Sequence, residues 1–415
     1  MFKKHNRTVS LFPVLSFALS CCSAPAAPSA QISTPAQSGP GRSSSAPAGV
    51  KPSINACSNP APPADASLAQ SEPLTFGWNL FLSINCPVQP SSAQPSSAQP
   101  SPAQPVLWET WKPNYAVYLP GGRPPAPWGT LPPRVLLNQP EIDGTTLLDK
   151  TGQPILFEIR LNRAAFQYVV QRQLYSKAAQ LAFFSDPNSL PVTFPADSLE
   201  IKAAWLILTP GDPGNARYYT TQSSYVDSSG RTHRVLAGLT ALHISSKVLP
   251  NWFWTSFEQV DNQVRTRAPQ TVLIPPNVQK VNDAVHGALP AGSVWRNYNM
   301  RGAMTAFTNT DGSPAILSNT QLETNFQLSS SCITCHNLAT RGSEMEGRLG
   351  FFLTTRTGVQ GYTGATAAAA NKYFDAFRNP VCYDNSRAVF TDCKTPNPAI
   401  VYKRLDYVWS LREAN

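Results

Sequence analysis

The chain has 415 residues, 42% hydrophobic and 10% aromatic, enough for one large domain or two ordinary ones with a sizeable core. Its net charge is +9, yet Lys and Arg are scattered singly through the body, without the clusters of a nucleic-acid-binding face, so no nucleic-acid partner is expected. No segment approaches ~20 uninterrupted apolar residues, so no membrane-spanning helix is expected either.

At the N-terminus Lys3, Lys4 and Arg7 precede a short apolar run, residues 9–19, which is the pattern of an export signal. Cys21 and Cys22 follow Ala18-Leu19-Ser20, the setting of a bacterial lipoprotein site in which a cysteine becomes the lipid-bearing first residue. Cleavage after Ala24-Pro25-Ala26 is the alternative and would release a soluble protein. Residues 1–22 therefore read as a signal peptide of lipoprotein type, with Cys21 or else Cys22 lipidated. The expected location is the periplasm or cell envelope, with membrane contact through the lipid. Residues 23–70 are rich in Ala, Pro and Ser with few large apolar side chains, and read as a disordered tether.

A body over residues 71–275 comes next. Leu74-Thr-Phe-Gly-Trp-Asn-Leu-Phe-Leu-Ser-Ile84 has the apolar spacing of a helix. Residues 89–105 repeat Pro-Ser-Ser-Ala-Gln and read as an inserted surface loop. Strands are expected over residues 155–161, 198–208, 217–225 and 234–245, the last two split by the turn Asp227-Ser-Ser-Gly230. Asn162 should cap a helix running to about Ala179. Runs of strands without regular helix alternation indicate an α+β fold. Residues 276–415 read as a mainly helical, loop-rich region packed on that body, ending in a tail helix over 400–413.

Eight cysteines in an exported chain suggest an oxidising compartment. Ser331-Cys-Ile-Thr-Cys-His-Asn337 contains Cys-x-x-Cys-His, the attachment motif of c-type haem. Two cysteines three apart on a helical turn can each bond one haem vinyl group, and the next residue supplies imidazole to the iron. Zinc would need two more close-spaced ligands, and the remaining Cys and His are scattered. A thioredoxin-like pair would follow a strand, whereas Gln327 to Ser331 is polar. One covalent haem c is therefore expected on Cys332 and Cys335, with His336 as proximal ligand. Setting aside Cys21 and Cys22 leaves Cys57, Cys86, Cys382 and Cys393, for which three connectivities exist; Cys57 with Cys86 and Cys382 with Cys393 are the sequence-near pairs, and the short Cys382–Cys393 loop is the safer bridge.

The sixth iron ligand has four candidates: His243, Met300, Met304 and Met345. Met345 lies close behind His336 for the opposite face of one haem. Met300 and Met304 have core packing as their plain alternative, and His243 has that of a satisfied core histidine. Tryptophans such as Trp295 and Trp409 are possible haem walls. His243 is favoured slightly, which would put the haem at a seam between body and tail.

The segments Trp108-Glu-Thr-Trp-Lys112, Ile201-Lys-Ala-Ala-Trp205, Trp252-Phe-Trp-Thr-Ser-Phe-Glu258 and Leu405-Asp-Tyr-Val-Trp-Ser-Leu411 resemble a group of long bacterial proteins known as cytochrome c family proteins. In that group the haem motif comes late, after a large mixed domain, and no reaction is established. A histidine often follows the position of Glu258 in the group, where this chain has Gln259, which leaves His243 as the better histidine candidate. Lys202, His243, Glu258 and Asp261 are polar residues in apolar segments and are expected to form one network, either as internal ion pairs or as a pocket beside the haem. The functional expectation is electron transfer between redox partner proteins in the envelope. The alternative is a haem oxidoreductase, peroxidase-like or oxidising a small molecule, with an open iron site.

Overall fold

The computed structural model describes Cys57 and residues 61–88, 104–139, 146–185, 192–262, 266–267, 270–311, 313, 315–324, 326–337, 339–342, 381–384, 389–392 and 400–414. The expected signal peptide, most of the tether and of the inserted loop, Met345 and Cys393 lie outside the described residues.

Two helices open the fold. In α1 (Ala66–Ser71), Asp65 accepts a hydrogen bond from the Leu68 amide and caps the first turn. In α2 (Pro73–Ile84), Pro73 stands where its missing N–H costs nothing. Phe76, Trp78, Phe81 and Ile84 are fully buried. A side chain at Gly77 would meet the Met300 methyl at 2.7 Å, so this helix lies directly on the sheet. Cys86, just past α2, is bonded to Cys57.

The sheet has eight strands: β1 (Lys112–Pro113), β2 (Val135–Leu136), β3 (Leu156–Leu161), β4 (Leu199–Leu208), β5 (Thr220–Val226), β6 (Thr232–Ser246), β7 (Phe253–Gln259) and β8 (Tyr298–Met304). Its order is β1-β3-β4-β6-β5-β2, and β7 and β8 continue from the far half of β6. All pairs are antiparallel except β2 with β5. The body is thus a mixed α/β structure on a curled mixed sheet. The long strand β6 explains the branching, because residues 232–238 pair with β5 while residues 241–246 pair with β7. The Asp227 carboxylate accepts from the Ser229 and Arg231 amides, and Gly230 takes φ +82°, which makes the expected turn between β5 and β6.

Between β3 and β4 the structure departs from expectation. Asn162 does cap α3 (Arg163–Gln171), accepting from the Ala165 amide. The helix then stops, and α4 (Lys177–Ser185) starts afresh. Gln173 adopts φ +53°, Leu174 N–H bonds Val169 O and Gln173 N–H bonds Val170 O. This is a Schellman ending made without glycine, so no sequence signal marked it.

One face of the sheet, with Ile201, Trp205, Leu242, Ile244, Phe257 and Met300, packs on α2 and on α5 (Pro276–Ala288). After β8 come α6 (Cys332–Asn337) and a second, four-stranded antiparallel sheet of β9 (Thr340–Gly342), β10 (Val381–Asp384), β11 (Val389–Asp392) and β12 (Ile400–Arg404). The tail helix expected over 400–413 is therefore a correction: Ile400-Val401-Tyr402 is β-branched and aromatic and pairs as a strand, and only Trp409–Glu413 forms a short 3-10 turn. Among the described residues no helix is long and apolar enough to cross a membrane.

A buried charge cluster underlies β3. Glu158 takes hydrogen bonds from Arg134, from Arg160 at 2.9 Å and from Trp205 Nε1 at 3.1 Å, and Arg134 also reaches Glu109. Burial alone would raise the Glu158 carboxyl, but Arg134 and Arg160 outweigh it and hold it below the usual range. Removing one member strands the others without water, so Glu158→Ala should lower unfolding free energy by about 3–5 kcal/mol in a urea titration. Because the folded pKa is depressed, this contribution is full above the unfolded value of about 4.3 and disappears as the pH falls through the folded value.

Candidate functional site

The sheet's other face carries the site. Strand register sets which residues share it: Leu161, Glu200, Ser245, Trp254 and Met304 form one row across β3, β4, β6, β7 and β8, and Ile159, Lys202, His243, Ser256 and Gly302 form the next. Residues of both rows floor a cleft. Leu322, Glu323 and Phe326, α6 and the turn Trp409–Ser410 complete its lining. The cleft has a volume of about 200 Å³.

Helix α6 is amphipathic over six residues. Ile333, Thr334 and Asn337 are buried, while Cys332, Cys335 and His336 face the cleft and stay partly accessible. Ser331 starts the turn, its carbonyl accepting from Cys335 N–H and its hydroxyl lying 2.8 Å from that of Thr334. Both cysteines are free thiols. Burial pushes both thiols above their ordinary range, and the nearby Glu323 carboxylate adds to it. Lys202 acts in the opposite sense on Cys335, but burial and Glu323 outweigh it, so neither thiol is held as a reactive thiolate, which argues against a redox dithiol. Among the described residues no three His, Cys, Asp or Glu side chains come together as a metal-binding group.

His336 is fixed by the tail. Its Nδ1 lies 2.7 Å from the Tyr407 carbonyl, which can only accept, so Nδ1 carries the proton and Nε2 keeps its lone pair. Burial pushes the His336 pKa down to about 4, and His243 and Lys202 add to that, so the ring is neutral at pH 7. Trp254 packs on the ring with centroids 4.5 Å apart. Asp406 and Tyr407 have φ +49° and +69°, strained for these side chains, and this bend turns the Tyr407 carbonyl to the histidine. The backbone arrives there because β12 pairs with β9 directly after α6, and Leu405 N–H bonds Ala339 O.

The candidate sixth ligands fall in different places. His243 lines the cleft; its Nε2 is 2.8 Å from Glu323 Oε1, and its Nδ1 is buried without a hydrogen-bond partner. Met300 is fully buried on the opposite face against α2. Met304 is on the cleft's side of the sheet but packs in the core beneath α6, near the Ser331 hydroxyl, and does not line the cleft. A bulge between Ser256 and Phe257 pairs them with Gly302 and Met300, leaving Arg301 unpaired. The extra residue reverses the side-chain alternation, so two methionines four apart face opposite ways.

The structure spreads the polar set over three places. Lys202 and His243 are register partners beside the cleft. Glu258 accepts from the Thr320 backbone and hydroxyl and lies 3.5 Å from Arg301, while Asp261 pairs with Arg217 at the surface. Gln259 bonds the Arg217 carbonyl, away from the cleft. Trp409 lines the cleft and donates to Cys335 O, whereas Trp295 stacks on Tyr219 across the sheet. Glu200, Trp254, Glu323 and Tyr407 were missed by sequence reasoning. Only Glu200 and Trp254 left a signal, since strand parity puts them with Lys202 and His243.

Glu200 accepts a hydrogen bond from the Ser410 hydroxyl within the cleft wall, and burial, with Glu413 nearby, pushes its pKa up to about 7. Its folded pKa exceeds the unfolded one, so the folded chain holds an extra proton between about pH 4.3 and 7, and stability falls as pH rises through that window. Glu200→Gln should remove this slope. Denaturant titrations should find the variant about 1–3 kcal/mol more stable than the parent at pH 8, and level with it at pH 4.

No protein-family model matches the chain, and neither curated proteins nor solved structures include a significantly similar one.

Proposed function

We propose that the chain is a c-type cytochrome with one haem attached through Cys332 and Cys335, His336 Nε2 serving as proximal ligand, and electron transfer between redox partner proteins of the cell envelope as its role. The observation that carries this reading is the motif in its setting: both thiols and the imidazole line one cleft, with His336 Nδ1 tied to a carbonyl so that Nε2 is the free donor. The donor set fits the group. Neutral thiols suit thioether links, a neutral imidazole is ready to ligate, and Trp254 and Trp409 offer apolar walls. Bound there, haem c would supply a one-electron iron couple.

The haem-binding region of residues 276–415 would then be part of the body, not a detachable module. Its Ile333, Leu405, Tyr407, Val408 and Leu411 share one apolar cluster with Val117, Leu161, Phe166 and Trp252. The resemblance to long bacterial cytochrome c family proteins, with their late haem motif, agrees with this. A second reading, a haem oxidoreductase with an open iron site, is favoured by one contact: His243 Nε2 is already engaged by Glu323.

Co-expressed with haem-attachment machinery, the full chain should carry one haem per chain that survives denaturation and acid extraction, read by mass spectrometry. The Cys332→Ala/Cys335→Ala double variant should carry none; covalent haem on that variant would overturn the assignment. Export and tethering form a separate prediction: the mature N-terminus should be Cys21, or Cys22, bearing lipid. A free start at Ala27 would make the protein a soluble envelope one.

A further inference from the structure

The only nitrogen by which His243 could bind iron in the cleft is committed to a carboxylate. His243 Nε2 lies 2.8 Å from Glu323 Oε1, and Nδ1 is sealed in the protein. Glu323 is itself held. Its Oε2 accepts from the Asn319 amide at 2.8 Å, and Glu323 N–H bonds Asn319 O at 3.0 Å. The Asn319 side chain in turn donates to Ser256 Oγ and Phe257 O on β7. The carboxylate therefore belongs to a loop riveted to the sheet, and it stands near enough to Cys332, Cys335 and His336 to act electrostatically on all three.

We propose that Glu323 is a positioning residue that withholds His243 from a haem iron held by His336, so that the iron would take a small uncharged ligand instead. This rests on the haem assignment above. One lone pair cannot serve both partners: while Nε2–H donates to Glu323, Nε2 has none to offer iron. Ligation by His243 requires that bond to break and the proton to leave, so the carboxylate sets how readily the iron changes from an open to a closed state. A protein that closes the iron is a carrier, and one that keeps it open can do chemistry on a small molecule.

The test uses the full haem-loaded chain, with carbon monoxide as probe. The parent should bind carbon monoxide when reduced. In Glu323→Ala, His243 is released to the iron: the spectrum should become low-spin and six-coordinate, and carbon monoxide affinity should fall about tenfold or more. Glu323→Gln can still offer one acceptor oxygen to His243, its amide nitrogen then facing Asn319, and should stay closer to the parent than Glu323→Ala, which a merely structural role of the carboxylate would not require. The double variant Glu323→Ala/His243→Ala should regain carbon monoxide binding. A parent already six-coordinate and inert to carbon monoxide, or a Glu323→Ala spectrum and affinity equal to the parent's, would overturn the proposal while leaving the cytochrome reading intact. A chain that takes up no covalent haem would instead sink the cytochrome reading itself.

Discussion

The buried pair between Lys247 and Asp406 fixes the geometry of the cleft. Lys247 Nζ lies 2.7 Å from Asp406 Oδ1, and the other carboxylate oxygen accepts from Phe194 N–H at 2.7 Å. Burial raises the Asp406 carboxyl, and Lys247 opposes it. Two desolvated charges make a poor source of stability in themselves. Their consequence is positional, since an unpaired charge at either end would be far worse. They hold the chain end in the strained bend at Asp406 and Tyr407, a conformation that costs on the order of 1–3 kcal/mol per residue unless the surroundings impose it. That bend aims the Tyr407 carbonyl at His336. Tyr407 OH bonds Asn251 and Trp254 Nε1 bonds Asn251 O, so the loop between β6 and β7 braces both the bend and the ring packed on His336.

A second constraint is the parity of the sheet. Because β3, β4, β6 and β7 pair antiparallel with matched register, alternate residues of four strands converge on one face. Apolar members of the opposite parity build the main core under α2, and the polar members Glu200, Lys202, His243 and Ser245 are left to the cleft. A bulge at Arg301 exempts β8 from that parity, turning Met300 into the core. Arg301 gains the room to approach Glu258 and the Ser318 carbonyl.

Local chemistry was legible in the sequence, and long-range geometry was not. Asn162 announced a helix start because capping is a contact within four residues, and Asp227-Ser-Ser-Gly230 announced a turn for the same reason. The helix after Asn162 was overrun because Gln173, not glycine, takes the left-handed position. The tail was misread because Ile400 to Arg404 is a strand only when β10 and β9 lie beside it. At the site, spacing alone singles out Cys332, Cys335 and His336, and the structure sets all three on one cleft. Glu323 was not, since Asn319-Thr-Gln-Leu-Glu323 looks like any polar loop until His243 is folded against it. Tyr407 acts through its backbone, and no side-chain pattern announces a carbonyl.

The electrostatics of the cleft follow from these constraints. Burial or a hydrogen-bond partner sets the state of most ionisable groups on its wall. Burial keeps the two thiols protonated and His336 neutral. It also puts Glu200 at the midpoint of its titration near pH 7, with a single hydroxyl as donor. His243 and Glu323 face each other, and Lys202 stands next to His243 on the adjoining strand. Apolar members of this wall dominate what a bound group would touch. A multiply charged ligand would lose its water without finding compensation there. What the wall does supply is apolar contact, two neutral thiols and a neutral imidazole.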